Sequence, residues 1–173
     1  MITFKVDLKP LPLKRPRFFK KFVYDPSKKD KKEWINIAKK YAPEKPLEGP
    51  LTINLQFYFK RPKSHYRTGR FSNEIKKSAP KVHICIPDID NLSKFILDAM
   101  NAVFYLDDKQ VVELNSHKEY INQKDGIPGF TIVTIKPYVQ KSNHFSNIYD
   151  ILLTLSLSML VRHTMSFILR RSA

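Results

Sequence analysis

The sequence predicts an α/β (α+β) domain in which a small mixed β-sheet packs with two main helices. Residues 51–59, LTINLQFYF, alternate apolar and polar side chains as a half-buried strand does. Residues 89–103 instead place their apolar side chains at helical spacing. The 173 residues suffice for one domain with a hydrophobic core and are too few for two large ones. We therefore expect one globular domain over residues 1–140, followed by a tail.

Before residue 51 the sequence predicts a strand, a basic loop and a helix. Residues 2–8, ITFKVDL, alternate as a strand, whereas the following KPLPLKRPRFFKKFVY is too rich in proline and charge for a helix. We read it as a basic loop with a short hairpin at residues 22–24. Asp25 can then cap a helix, Pro26 fits its first turn and Pro43 ends it. The apolar face of this helix comprises Trp34, Ile37, Ala38 and Tyr41.

Residues 60–81 form a long basic segment without apolar periodicity. A loop of this length inside a compact domain is usually functional or disordered. Its cations alternate with Tyr66 and Phe71, whose rings can stack on unpaired bases while the cations follow phosphates. The alternative is a disordered insertion whose aromatic side chains have no role.

The sequence of the second half of the domain predicts three strands, a helix and a turn. VHICI, residues 82–86, reads as a short buried strand ending at Pro87. In the helix after it, the apolar side chains fall within an arc of roughly 140° and face away from the polar ones. The apolar positions are Leu92, Phe95, Ile96, Ala99, Met100 and Val103; the polar ones are Asp90, Lys94, Asp98 and Asn101. Residues 110–120 and 130–138 read as two further strands joined by the turn-rich NQKDGIPG.

Residues 141–173 differ in composition from the rest of the chain. Their apolar run, residues 151–161, is shorter than the roughly 20 residues that span a bilayer. We therefore favour a helix packed on the domain or on a second subunit over a membrane anchor. The single cysteine, Cys85, excludes an internal disulfide framework, and no secretory signal is visible at the N-terminus. Both observations favour an intracellular protein.

The positive charge is concentrated in the first half of the chain. Residues 1–81 contain 22 Lys and Arg against 7 Asp and Glu, whereas residues 82–173 contain 9 of each. Such segregation favours nucleic acid as the partner over a merely solvated surface. The candidate DNA-binding residues are the cations of the two basic loops: Lys14, Arg15, Arg17, Arg61, Lys63, Arg67, Arg70, Lys76 and Lys77.

Six carboxylates lie between residues 87 and 113, and PDIDNL at their start allows four interpretations. An EF-hand calcium loop needs a ligand at Leu92 and a glycine at Ser93, which excludes it. A haloacid-dehalogenase phosphatase requires Thr or Val in place of Leu92 and more chain than remains. Helix capping by Asp90 accounts for one carboxylate but not for the others.

The fourth interpretation is a divalent-metal site. Mg²⁺ prefers oxygen ligands, usually a few carboxylates completed by water and phosphate. Asp88 and Asp90 can point into one cavity, and a short connection can return Asp107 and Asp108 toward them. Carboxylates placed so close repel one another unless a cation intervenes. Lys94, one turn after Asp90, can either neutralise a phosphate or form a helical ion pair.

The run DIDNLSKFILDAMN followed by LDDKQVVE resembles the core motif of the RusA-type Holliday junction resolvases. The early KPLPLKRPRF also resembles the opening of that family, and the similarity covers about residues 1–138. The resemblance implies that Asp88, Asp90 and Asp108 are the metal-binding catalytic carboxylates and that Lys94 is the catalytic lysine. It marks Asn91, Asp98 and Asp107 as supporting positions. The long insertion at residues 60–81 and the tail depart from the family's compact form.

This resemblance implies a homodimeric endonuclease that hydrolyses four-way DNA junctions in recombination and repair. Its cofactor would be Mg²⁺, with Mn²⁺ as a substitute; branched DNA would be its partner, without a nucleotide cofactor or a membrane. Two alternatives remain open. One is a metal nuclease acting on other branched or linear DNA, and the other is a DNA-binding architectural protein without catalytic activity.

Overall fold

The computed structural model describes residues 1–122 and 127–140. This part of the chain forms a mixed four-stranded sheet, a separate two-stranded hairpin and two α-helices. The elements are β1 (Ile2–Val6), β2 (Arg17–Phe19), β3 (Phe22–Tyr24), α1 (Lys28–Ala38), β4 (Leu51–Phe59), α2 (Ile89–Met100), β5 (Val111–Tyr120) and β6 (Gly129–Pro137). Short 3₁₀ turns lie at Lys39–Tyr41, Lys63–His65, Gly69–Phe71 and Asp108–Gln110. The predicted α+β class is confirmed.

The sheet has the strand order β1-β6-β4-β5. Strand β4 pairs antiparallel with β6 and parallel with β5, so the connection between β4 and β5 must cross the sheet, and α2 lies within that connection. The predicted alternation of β4 is confirmed, because all five of its apolar odd-numbered residues are buried. Strand β5 lies at the sheet edge.

The hydrophobic core lies between one face of the sheet and the two helices. Helix α1 contributes Trp34 and Ala38, and the predicted apolar face of α2 is buried from Leu92 to Met100. Ser93 lies within that face, and its hydroxyl donates to the Ile89 carbonyl at 2.8 Å. This bond satisfies a polar group that would otherwise destabilise the core.

Helix α1 begins later than predicted. The Asp25 side chain accepts a hydrogen bond from the Ser27 N–H at 2.7 Å, but the helix starts at Lys28 with Ser27 as its N-cap residue. Asp25 therefore closes the turn before the helix instead of capping it. The helix ends in a 3₁₀ turn, and Ala42 is extended before Pro43, as a residue preceding proline prefers to be.

The prediction that residues 82–86 form a buried strand is wrong. Only His83 is buried there, whereas Ile84 and Ile86 are more than 80% exposed. Val82 makes one antiparallel bridge to Glu119 at the edge of β5, after which the segment leaves the sheet. Short apolar runs are ambiguous, and this one lacks a partner that would cover it.

A short hairpin was predicted at residues 22–24, and the structure has a longer one, in which β2 pairs with β3 over residues 17–24. Its register pairs Arg17 with Tyr24 and Phe19 with Phe22, leaving Lys20 and Lys21 at the turn. Lys20 has a φ of 55°, which is unusual for a residue other than glycine.

Two predictions concern residues outside the described part. The turn-rich connection falls partly on residues 123–126, and the tail at 141–173 lies wholly beyond it. Among the described residues, no helix is long and apolar enough to cross a membrane.

Candidate active site

Asp88 and Asp90 flank the start of α2 as exposed carboxylates. Asp88 is the N-cap residue, yet its side chain makes no capping hydrogen bond, and Asp90 lies in the first turn. The interpretation that Asp90 serves as the cap is therefore not what the structure shows. A helix N-terminus attracts negative charge, so the first turn also favours an anionic group placed beside it.

Lys94 pairs with Asp90 across one helical turn. The distance from Lys94 Nζ to Asp90 Oδ2 is 3.5 Å, and the two side chains are 62% and 61% exposed. This is the helical ion pair that the sequence allowed. Such an exposed pair is weak, so Lys94 can exchange its partner for a phosphate at little cost.

Lys118 of β5 fixes the segment that leads into Asp88. Its ammonium donates to the carbonyl oxygens of Cys85 and Pro87, both at 2.7 Å. The backbone N–H of His83 also donates to the Lys118 carbonyl. Residues 85–87 do not continue the ladder along β5, so the lysine side chain holds them in place of backbone pairing. The position of Asp88 therefore depends on β5.

The Asp88 side of the helix opens onto a basic groove. A cavity of about 590 Å³ is lined by the segment Lys9–Arg15 and by Ile86, Pro87, Asp88 and Asn91. The Leu13 N–H donates to the Asn91 carbonyl at 2.9 Å, which fixes this segment against α2. A carboxylate and three cations, Lys9, Lys14 and Arg15, therefore share one groove.

A second cavity adjoins this one along Ile86 and Pro87. It measures about 510 Å³ and includes Lys9, Lys60 and the base of the long basic loop. Both cavities therefore place cations beside the segment that precedes Asp88.

Asp98 binds α1 instead of facing the start of α2. Lys31 Nζ lies 3.3 Å from Asp98 Oδ2 and 2.6 Å from Asp25 Oδ2. Burial alone would lower the pKa of Lys31, but its bonds to both carboxylates outweigh burial and raise it. The hydrogen bond from Lys31 lowers the pKa of Asp25. Asp98 thus supports the packing of the two helices.

Asp107 and Asp108 begin the 3₁₀ turn before β5. Asp107 accepts from the Lys109 N–H at 3.0 Å, and this bond lowers the pKa of its carboxyl. The Gln110 side chain accepts from the Asp107 N–H and donates to the carbonyls of Leu47 and Gly49. Asp107 therefore shapes the turn, whereas Asp108 is exposed.

Asp108 follows Tyr105, a buried residue that is hydrogen-bonded to the C-terminal half of α2. The buried Tyr105 hydroxyl donates to the Leu97 carbonyl at 2.9 Å. Burial raises the pKa of Tyr105 well above its usual range, and the charges of Asp108 and Asp98 act in the same direction. Leu97 is seven residues after Asp90, about 10 Å along the helix axis.

The carboxylates fit a hard metal ion in chemistry but are not assembled as one cluster. Within residues 1–122 and 127–140, no three His, Cys, Asp or Glu side chains are grouped so that they could hold an ion. Asp88, Asp90 and Asp108 are nevertheless exposed oxygen donors of the kind that Mg²⁺ prefers. The metal set therefore stays a prediction.

The basic loop at residues 60–81 is folded, and Arg61 is its anchor. The Arg61 guanidinium donates to the carbonyls of Ile121 and Pro80 at 2.9 and 2.6 Å and to the Asn122 side chain at 3.2 Å. Only 5% of Arg61 is exposed. The structure thus gives Arg61 a structural position, unlike the other candidate DNA-binding residues, which are exposed.

The aromatic side chains of this loop are engaged within it. Tyr66 is 8% exposed and bridges to Ile75, so the prediction that it stacks on bases is wrong. The guanidinium groups of Arg67 and Arg70 lie over the Phe71 ring at 4.0 and 4.7 Å. Burial of Tyr66 could not be read from a segment without apolar periodicity.

Sequence reasoning missed three cations: Lys9, Lys60 and Lys118. Lys118 carried a signal, because in the predicted strand it shares a face with the apolar Tyr120. Lys9 and Lys60 carried none, since exposed lysines are common throughout the first half of the chain.

Two comparisons bear on this geometry. The family model described as endodeoxyribonuclease RusA matches residues 7–135. An uncharacterized protein of Bacillus subtilis (strain 168), YqaN, is 32% identical over 125 residues, covering 69% of this chain and 87% of its own length. The match spans both basic segments and every candidate carboxylate.

Proposed function

Because this chain belongs to the endodeoxyribonuclease RusA family of Holliday junction resolving endonucleases, we propose that it cuts four-way DNA junctions as a Mg²⁺-dependent homodimer in recombination and repair. The family assignment makes the chain an endodeoxyribonuclease that hydrolyses phosphodiester bonds. The metal, the quaternary structure and the biological role are the parts that we add.

The groove beside Asp88 is the observation that carries this proposal. Lys14 and Arg15 line it together with that carboxylate, and Asn91 lies at its edge. A DNA backbone entering the groove meets cations that attract its phosphates and, in the same space, an oxygen donor suited to a metal. Such an arrangement favours phosphodiester chemistry over a purely architectural role.

We assign the metal to Asp88, Asp90 and Asp108, and a bound Mg²⁺ would lower the pKa of a coordinated water and stabilise charge on the phosphate. Lys94 leaves its weak pair with Asp90 to neutralise a phosphate oxygen. Asn91 fixes the basic segment through its carbonyl. The supporting residues Asp98 and Asp107 hold the helix and the turn that carry these groups.

The exposed cations supply the remaining DNA contacts. Besides Lys14 and Arg15, we assign phosphate contacts to the exposed cations outside the groove: Arg17, Lys63, Arg67, Arg70, Lys76 and Lys77. Arg67 pairs with Glu74, and this exposed pair must open or tilt for contact. Arg61 is not among these contacts, because its guanidinium holds the base of the loop.

A homodimer suits a junction in which two symmetric strands are cut. The outer edge of β5 offers a surface for it, since the described residues cover that edge only near its C-terminal end. Val112 and Leu114 are 55% and 41% exposed on the strand, beside a groove that includes Ile89 and Leu97. Because one chain does not gather the carboxylates, a second copy offers a way to complete the set.

The test compares cleavage of a labelled four-way junction with that of linear duplex of the same sequence. Wild type and Asp90→Asn are assayed with Mg²⁺ and with chelator, and Asp7→Asn serves as the matched control because Asp7 is an exposed carboxylate that pairs with Lys5. We expect paired nicks on the junction, lost with chelator and in Asp90→Asn, and retained in Asp7→Asn.

Other results select the alternatives. Equal cleavage of linear duplex would identify a nuclease without junction preference. Tight junction binding without cleavage across several divalent metals would identify an architectural protein. A strictly monomeric chain that still makes paired nicks would refute the homodimer.

A further inference from the structure

The β2–β3 hairpin exposes apolar side chains on both of its faces. Phe18 and Val23, cross-strand partners on one face, are 79% and 61% exposed. Phe22 and Tyr24, on the opposite face, are 75% and 47% exposed. Neither face is therefore covered by the described part of the chain.

Such a hairpin is not expected to be stable by itself. Two strands without a third, or without a helix against them, are marginal in water. Exposed large apolar side chains concentrated in eight residues indicate a surface that binds a partner. The charge of the hairpin indicates which partner this surface binds.

The roots of the hairpin are held firmly by the domain. On the entering side, the backbone N–H of Leu13 donates to Asn91 and that of Lys14 donates to the buried Ser27 hydroxyl at 2.8 Å. On the leaving side, Asp25 accepts from the Ser27 N–H and pairs with Lys31. Lys14 to Lys20 spans up to about 20 Å at about 3.3 Å per residue. The hairpin is thus a short arm with a fixed origin.

The charge of the arm selects a polyanion. Residues 14–24 contain five cations, Lys14, Arg15, Arg17, Lys20 and Lys21, and no carboxylate. Lys14 and Arg15 also line the groove with Asp88. DNA that reaches the proposed site therefore passes the root of the arm.

We propose that the hairpin stacks Phe18 and Phe22 on unpaired or splayed bases at the branch point of the DNA substrate. Cations beside exposed aromatic rings bind nucleic acid in this way, because the rings take the faces of bases and the cations take the phosphates. In linear duplex the base faces are covered by stacking on neighbouring bases, so the phenylalanine rings have no free base face to stack on. The hairpin is then a determinant of junction preference, and this role rests on the proposed function.

The test measures binding in the presence of chelator, so that it does not depend on cleavage. A four-way junction and a linear duplex carry 2-aminopurine at the branch point or its equivalent, and the fluorescence reports the stacking of that base. The variants are Phe18→Ser/Phe22→Ser and Phe18→Trp/Phe22→Trp. Val139→Ser is the matched control, since Val139 is a 78% exposed apolar residue outside the hairpin.

We expect the serine variant to lose about tenfold or more in junction affinity and the 2-aminopurine response, with duplex affinity unchanged. The tryptophan variant and the Val139 control should keep the junction affinity and the 2-aminopurine response. Thermal melting verifies that the serine variant is folded, as its exposed positions predict.

Three results would overturn the proposal. If the serine variant keeps the junction preference shown by wild type, the hairpin does not read the branch point although the proposed function stands. If the serine variant instead changes the oligomeric state in sedimentation, the hairpin is a protein contact. If wild type itself binds junction and duplex alike, the proposed function fails together with the hairpin's role.

Discussion

Lys118→Met removes the two bonds that hold the segment before Asp88. Both carbonyl acceptors lie 2.7 Å from the ammonium, so each bond is short and charge-assisted. A hydrogen bond to a charged group contributes about 1.5–3 kcal/mol when buried, and the Cys85 bond is exposed. We therefore take about 2 kcal/mol for the pair.

This loss should appear in catalysis more than in binding. If about 2 kcal/mol separates the ordered segment from displaced forms, the population with Asp88 in place falls by up to roughly 30-fold. The proposed DNA-binding cations are elsewhere, so junction affinity should change little. We expect a lower cleavage rate at saturating enzyme in single-turnover assays, with nearly the same Kd.

A second readout separates this role from general loosening. Burial and the nearby Lys118 ammonium lower the pKa of His83. Removing the ammonium should raise that pKa toward its ordinary value, which an NMR titration measures. Lys118→Arg, which keeps donors in place, should recover part of the rate. Lys136→Met removes an exposed lysine of β6 and serves as the matched control.

An unchanged rate in Lys118→Met would contradict the positioning role of Lys118. So would a Kd that rises while the rate at saturation stays constant. The latter result would make Lys118 a DNA contact and not a positioning residue.

Four further predictions concern the loop base, an exposed cation of the loop, a close backbone approach and pH. Arg61→Met should lower the free energy of unfolding by about 2 kcal/mol in urea titrations, because it leaves two partly buried carbonyl acceptors unpaired, without changing the salt dependence of DNA binding. Lys63→Gln should leave the free energy of unfolding unchanged. It should reduce by about 0.9 the slope of the logarithm of the DNA-binding constant against the logarithm of the salt concentration. Gly129→Ala should cost about 2 kcal/mol or more, since its φ is 142° and a Cβ would lie 2.7 Å from the Tyr58 carbonyl oxygen; urea unfolding checks it. His83 has a lowered pKa when folded, so the unfolded chain binds more protons below pH 6.5; stability should fall as the pH drops through that value, and unfolding at several pH values measures it.

The sequence predicted well wherever periodicity controls the structure. The alternation of β4 and the apolar face of α2 both follow from side chains repeating at strand or helix spacing, and both are buried as predicted. Those patterns were sufficient for the α+β class, because a strand or helix with one apolar face must pack that face on something.

Prediction from the sequence failed where contacts with residues distant in the sequence determine the local structure. Ile84 and Ile86 have the composition of a buried strand, but the edge of β5 pairs with only the first residues of their segment. Arg61 reads as one more cation in a basic loop, and only the fold brings two carbonyl groups to its guanidinium. Neither outcome is encoded in the local sequence.

The candidate site was predicted in composition but not in arrangement. The carboxylates at Asp88 and Asp90 follow from the motif, and their exposure at the start of α2 agrees with it. What local sequence could not give is that Asp88, Asp90 and Asp108 do not form one cluster in the described chain, which depends on how the chain returns from α2 to β5.

Strand β5 links the two ends of the proposed site. At its C-terminal end, Lys118 holds the segment that sets Asp88. At its N-terminal end, the capped turn containing Asp108 is tied by Gln110 to the residues before β4. Strands β4 and β5 pair along their whole length. A shift in the register of β5 against β4 would therefore displace Asp88 and Asp108 together. The parallel pairing of β4 and β5 is therefore the feature of the fold on which the spacing of the proposed catalytic carboxylates depends.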